Sequence, residues 1–251
     1  MKILVTFAVQ AEFAAWRRRR RFRQVARQPF SLYAADAGGS MVRVLLTGMG
    51  SDSAAQAIRW ALASPTDLCI SSGFAGALRP DLSVGDLLAA RVVRCAEREL
   101  AVASDRELFA AACDAGARPV DRILTARKLV VRAEDKVSLS READAVEMES
   151  FAILAEAARH GVRAITVRAV SDVAAASLPY DFDRMRDIRG AIRLRSLLAE
   201  MARRPQRLPA LLRLARDCRL AGGQLAGFLE RYLGRLDACL DLSRPEMVAA
   251  T

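Results

Sequence analysis

The chain alternates unbroken apolar runs with stretches whose apolar residues recur at helical spacing. KILVTFAV, Lys2 to Val9, is continuous and partly β-branched, the pattern of a strand covered on both faces. AEFAAWRRRRRF then mixes apolar residues with arginines and predicts a helix with Glu12 in its first turn. Phe30 to Asp36 and Met41 to Thr47 read as two strands joined by Gly38, Gly39 and Ser40, a hairpin signal. The second hands over through Gly48 and Gly50 to a helix that Ser51 or Asp52 can cap. Asp67 to Ser72 predicts a further buried strand, ending in the glycine turn SSGFAGAL. A turn at Gly85 and Asp86 leads into another strand, Asp105 to Ala115 predicts a helix stopped by Gly116, and Ile123 to Val131 predicts a strand followed by irregular chain.

The densest pattern lies between Asp144 and Asp172. A short strand leads to Glu149 at the mouth of an apolar helix, Gly161 stops that helix, and a buried strand runs from Arg163 to Val170 with Asp172 just past its end. After it the texture changes. VAAASLPYDFDRMRD is loop-like and placed to act as a lid. Helical stretches follow at about 183–202 and 208–236, the second interrupted by Gly222 and Gly223. The whole predicts a three-layer α/β fold, a mixed central β-sheet flanked by helices, with extra C-terminal helices. Its expected division is an α/β domain over 1–182 and a helical extension over 183–251 packed on it or on a partner.

Composition narrows the classes. At 251 residues one α/β domain has ample core. The net charge of +10 comes almost wholly from arginine, lysine standing only at Lys2, Lys128 and Lys136. It reads in part as a genomic preference for arginine, with a basic surface as the alternative. The run Arg17 to Arg21 lacks interleaved aromatics and reads as a solvated helix face, so no nucleic acid is expected. Five scattered cysteines without a CxxC pair suit a reducing compartment, and a single His160 makes a Ser/His/Asp triad or a His-rich metal site hard to build. No metal or cofactor is expected. The first apolar run meets Gln10 and Glu12 at once and no stretch approaches a membrane span, so a cytoplasmic protein is expected.

The acids carry the candidate chemistry. Open α/β sheets bind ligands at the carboxyl ends of their strands, and Glu12, Glu149 and Asp172 each stand just beyond such an end. Each also has a bland explanation in the helix dipole or a loop cap. Gly50 opens a helix N-terminus that can hold an anion, and Gly73 and Gly76 permit close backbone approach.

AVEMES followed by VRAVSD resembles the nucleoside phosphorylase and nucleosidase superfamily, most closely its methylthioadenosine/S-adenosylhomocysteine nucleosidase branch. The resemblance implies that Met148 and Glu149 hold the ribose, and that the acid of the SD pair, Ser171 and Asp172, faces the purine. It implies that Glu12 helps activate the attacking water, that Val130 walls the base, and that Gly50 borders the sugar. SSGFAGAL is similar to the family's TGSAGG turn, which brings in Phe74, Ala75 and Gly76; Phe74 replaces a polar residue there. A homodimer is implied as well. RRPQRLPALLRLARD resembles the C-terminal extension of hopanoid-associated phosphorylases, which act on an adenosyl group joined to a hopane lipid, and a basic, leucine-rich tail suits peripheral contact with an anionic membrane.

Breaking a purine N-glycosidic bond needs a donor at the purine, support for an electron-deficient sugar, and a nucleophile. Asp172 is expected to be the acid at purine N7, burial keeping its proton on. Glu12 is expected to be the general base, and Arg168 either orients Glu12 and the nucleophile or neutralises the acids. The expected function is a purine nucleosidase releasing adenine from a nucleoside with an apolar or thio 5′ substituent. Water is preferred because a carboxylate at Glu12 would repel phosphate, although Arg168, the Gly48–Gly50 amides and Arg43 are available as phosphate donors. The alternatives are a hopanoid-associated enzyme, a phosphate-dependent phosphorylase, and a non-catalytic basic binding protein.

Overall fold

Ile3 to Phe7 of β1 (Lys2–Phe7) are all buried, as an apolar run flanked by two other strands must be. In the computed structural model, which describes residues 1–180 and 203–241, β1 lies between β4 (Ser40–Leu46) and β5 (Leu68–Ala77), parallel to both. The hairpin partner β3 (Ser31–Ala37) and a short β2 (Arg23–Ala26) extend the sheet antiparallel beyond β4. On the other side β5 runs parallel to β10 (Arg163–Asp172), which pairs antiparallel with β6 (Leu87–Cys95). β6 continues to β8 (Arg118–Thr125), β8 to β9 (Ala145–Glu147), and β9 returns to the last residues of β5. That ring closes one end of a mixed, ten-stranded sheet, with β7 (Ala101–Ala103) added to β6.

Helices cover both faces. α2 (Ser51–Leu62) and α5 (Ser150–Arg159) bury Ile58, Leu62, Ile153 and Leu154 against one face. α1 (Gln10–Arg19), α3 (Arg106–Asp114) and the long α6 (Leu208–Asp241) cover the other. α4 (Ala133–Leu139) is a short polar helix of about two turns before β9. Along α6, Ala221, Leu225, Phe228, Leu229, Tyr232, Leu233 and Leu236 form a stripe at helical spacing, all buried with Phe7, Phe13 and Trp16. Each large side chain so buried contributes about 1.5–3 kcal/mol before chain entropy. The arginine run helps to fasten α6: Arg20 and the Trp16 indole both donate to Glu230 at 2.6 Å, and Arg19 reaches the Gly223 carbonyl.

Several expectations change. SSGFAGAL is not a turn: β5 runs through it to Ala77, with Gly73 at φ +143°, a backbone conformation that residues with a side chain rarely adopt. β10 likewise continues to Asp172, through a register shift between Val170 and Asp172 that sets Asp172 opposite Gly76. Gly222 and Gly223 do not interrupt α6, which runs unbroken through both, with Gly222 facing the Phe74 ring. β2, β7 and α4 were not anticipated; they are short and half-exposed and carry little periodicity. The expected helix at 183–202 and the 182/183 boundary lie outside the described residues. Among those described, no helix is long and apolar enough to cross a membrane.

Candidate active site

The carboxyl ends of β1, β4, β5 and β10 meet at one rim, and the candidate acids gather there. Glu12, in the first turn of α1, folds back onto the chain end that precedes it. One carboxylate oxygen accepts the amides of Ala8 (2.8 Å) and Val9 (3.2 Å), and the other accepts Phe74 N–H at 2.8 Å. A carboxylate has about four acceptor directions, so three backbone donors leave one. Burial pushes the Glu12 carboxyl above the ordinary range, against the pull of the Arg168 guanidinium and the three amides. Gly73 makes this closeness possible: a methyl there would stand 2.6 Å from Glu12 Oε1 and still nearer Arg168.

Glu149 is the N-cap residue of α5, and its Oε1 accepts Gly50 N–H at 2.7 Å. The helix N-terminus that can hold an anion therefore faces a carboxyl group of the protein itself. Ser51 Oγ donates to the Met148 carbonyl at 2.9 Å, tying the same loop to the same motif. Glu149 Oε2 is 3.9 Å from Arg168 Nη2. Burial first, then the charge of Glu147, pushes the Glu149 carboxyl up to about 8, with Arg168 and Gly50 N–H opposing.

That shift has a consequence for stability. The pKa in the folded state lies above the ordinary 4.5, so folding favours the protonated form. The associated stabilisation is complete below about pH 4.5 and is lost as pH rises through about 8. Thermal midpoints are expected to fall from about pH 5 to about pH 9, and Glu149→Gln, which keeps an acceptor for Gly50, is expected to flatten that fall. Glu12 contributes in the same direction, so the difference between the two proteins isolates Glu149. An equal slope in both would count against the assignment.

Arg168 is fully buried on β10, and its partner is an acid the sequence reading passed over. Glu147, at the end of β9, forms the ion pair with Arg168 Nη2 and also accepts Glu149 and Ser150 N–H at 2.9 and 2.8 Å. Arg168 further donates to the Ser72 carbonyl and Ser150 Oγ, both at 2.8 Å, while its Nε has no partner among the described residues. Glu147 was legible only as the inward residue of a three-residue strand. Arg43, offered as a phosphate donor, instead binds Pro65 O and Thr66 Oγ1 ahead of β5, at the opposite rim.

Asp172 stands at the other end of the site. Its Oδ1 accepts Ser171 Oγ at 2.7 Å, and Ser171 also reaches the Ala75 carbonyl at 3.3 Å. Its Oδ2 pairs with Lys136 Nζ, a fully buried ammonium on α4 that also donates to Val173 O (2.9 Å) and Ala176 O (3.0 Å). Asp172 is the acid expected to hold its proton through burial, with Arg168 as one candidate to neutralise the acids; the cation the structure sets beside it is Lys136. The available signal was compositional: a lysine in a chain that otherwise chooses arginine.

Asp172, Gly76, Val130, Met148 and Leu178 line a cavity of about 30 Å³, together with Lys128, Leu129, Val146 and Glu147. That is room for about two waters and not for a purine. Leu178 N–H binds the Val131 carbonyl and Ser177 Oγ binds Ala133 N–H, so segments 128–133 and 173–178 are clipped together over it. Glu12, Glu149, Arg168, Gly50 and Phe74 do not line this cavity. They form a second group reached along β5, where Gly73 touches Glu12 and Arg168 and Gly76 touches Asp172. Three residues of strand put the two groups about 10 Å apart. Phe74 packs under Gly222 of α6, and Cys218 of the same helix is near enough to Asp172 and Glu12 for both charges to act on its thiol.

A family model for the phosphorylase superfamily matches residues 2–203. Among solved structures, 5′-methylthioadenosine/S-adenosylhomocysteine nucleosidase from Neisseria meningitidis, in complex with methylthio-immucillin-A, is 22% identical, with 92% of this chain and 97% of that one covered and a TM-score of 0.71. The Helicobacter pylori enzyme of that name, as a mutant with 5′-methylthioadenosine in its active site, is 18% identical at 94% and 98% coverage, TM-score 0.72. Futalosine hydrolase from Helicobacter pylori is equally similar: 18% identity, 93% and 97% coverage, TM-score 0.72.

Proposed function

The chain belongs to the phosphorylase superfamily, and on that premise we propose that it is a nucleosidase that uses water to cleave the N-glycosidic bond of an adenine nucleoside. The observation that carries the choice of water is the state of the cations beside Glu12. Arg168 is the guanidinium there, and it is already paired with Glu147. Arg43 is bound at the far rim, and the Gly50 amide is given to Glu149. Among the described residues no convergent arginine set of the kind that grips phosphate stands beside Glu12.

In this reading Glu12 uses its remaining acceptor direction to hold and deprotonate water. Glu149 and Met148 hold the sugar from the end of β9. Asp172, steadied by Ser171, donates to purine N7, and Val130 forms the wall of the base pocket. The roughly 10 Å between the Gly73 and Gly76 positions suits one ligand that reaches both groups. The base enters when segments 128–133 and 173–178 part. The 5′ substituent lies toward Phe74 and α6, where it meets apolar surface, and methylthioadenosine is the first substrate to offer.

A lipid-like substituent is the second reading. It is favoured by Leu208, Leu212 and Leu220 exposed on α6 among Arg207, Arg213, Arg216 and Arg219, a surface suited to an amphipathic substrate or a bilayer. The proposed setting is a cytoplasmic homodimer in which 183–251 packs on the α/β domain or its partner.

The test is to incubate the chain with methylthioadenosine with and without inorganic phosphate. Adenine and the free thioribose should form at the same rate in both. Dependence on phosphate, with a sugar 1-phosphate as product, would reverse the assignment of the nucleophile.

A further inference from the structure

We propose that Lys136 is the positioning and proton-loading residue of this site: it keeps Asp172 supplied with the proton that Asp172 hands to the departing purine. The inference deepens the nucleosidase reading and rests on it. Three observations converge. The Lys136 side chain is wholly buried, and its three ammonium protons have three acceptors, Asp172 Oδ2, Val173 O and Ala176 O. Passing one proton to Asp172 leaves an amine whose two remaining N–H groups still satisfy the two carbonyls, so the neutral pair strands no donor in the interior.

The third observation is the residue type. The chain contains 39 lysines and arginines, of which only three are lysine, and one of those three is buried against the candidate acid. Arginine does not give up its proton in proteins, whereas a buried lysine does so readily. A site that needed only a fixed positive charge could have used the side chain this protein uses almost everywhere else.

The glycosidic bond breaks and its electron pair stays with the purine. Asp172 gives a proton to N7, and Lys136 gives one to Asp172, breaking an N–H bond and forming an O–H bond. Water loses its proton to Glu12 as it attacks the sugar carbon. Solvent then returns a proton to Lys136 and removes one from Glu12, so none is consumed. The other ionisable groups facing the pair are Lys128 and Glu147 in the cavity wall and Cys218 on α6, with Glu134 and Asp135 exposed on α4.

The 251-residue chain and its Lys136→Met and Lys136→Arg variants, each checked for cooperative thermal unfolding, are compared for adenine release from methylthioadenosine across pH. Lys136→Met should lower kcat roughly tenfold or more near neutrality, leave KM within about threefold, and move the alkaline limb of kcat down by about one pH unit or more. Lys136→Arg keeps the charge without a transferable proton and should stay impaired. Full activity in Lys136→Arg would overturn proton loading in favour of simple charge. If that variant does not fold, an unmoved alkaline limb in Lys136→Met overturns it instead. Lys136→Met as active as the unaltered protein overturns this inference alone, whereas an unaltered protein inactive on every adenine nucleoside overturns the nucleosidase reading and this inference together.

Discussion

Glu12→Gln is expected to reduce adenine release by roughly 10²–10⁴-fold, the range a positioned general base contributes. The geometry makes this substitution harsher than an exchange of equal shapes. Ala8 and Val9 donate to one oxygen of Glu12 and Phe74 donates to the other. Whichever way the glutamine amide turns, its NH₂ faces a backbone N–H. At least one buried donor is left unsatisfied, at about 1–3 kcal/mol each, so a drop in thermal midpoint should accompany the loss of turnover. Glu12→Asp separates the two effects: it keeps the charge but withdraws the carboxylate from at least one amide. If Glu12→Gln retains near-normal turnover in a folded protein, Glu12 is a cap that braces β1 against β5 and not the base.

How much of this was readable in advance depends on how local each cause is. The strands around β1 and β5 and the Asp105-capped α3 were legible because continuous apolar runs and a capping aspartate act within a few residues. That Glu12, Glu149 and Asp172 sit at the carboxyl rim was legible too, since each follows a predicted strand. Their partners were not. Lys136 meets Asp172 across 36 residues and Glu147 meets Arg168 across 21, and in both pairs what brings the ends together is the ring of strands that closes through β9. Nothing in the spacing of AEDKVSLS announces that its lysine turns inward. The SSGFAGAL segment failed for a related reason: two glycines usually mark a turn, but here they let one strand pass between bulky neighbours, Glu12 and Arg168 at Gly73 and Asp172 at Gly76.

The same pairing implies the largest expected effect on stability. Glu147→Ala should cost about 3–5 kcal/mol, the usual penalty for stranding one member of a buried ion pair, which for a chain of this size corresponds to a fall of about 6–20 °C in thermal midpoint. The reasons compound at one residue. Glu147 neutralises an arginine that is 1% exposed, and it accepts the first two amides available at the head of α5, Glu149 N–H and Ser150 N–H. Glu147→Gln retains most of the shape, so it should be milder, and it carries a second signature. The charge of Glu147 is one cause of the raised Glu149 carboxyl, so removing it should lower the pKa of Glu149 and shrink the decline of stability between about pH 5 and about pH 9. Replacing both partners, Arg168→Met with Glu147→Leu, removes the stranded charge and should recover part of the lost stability without recovering turnover. A Glu147→Ala protein that unfolds within about 2 °C of the unaltered chain would mean that water reaches Arg168, and the dry, pre-neutralised guanidinium on which the choice of water over phosphate rests would have to be given up.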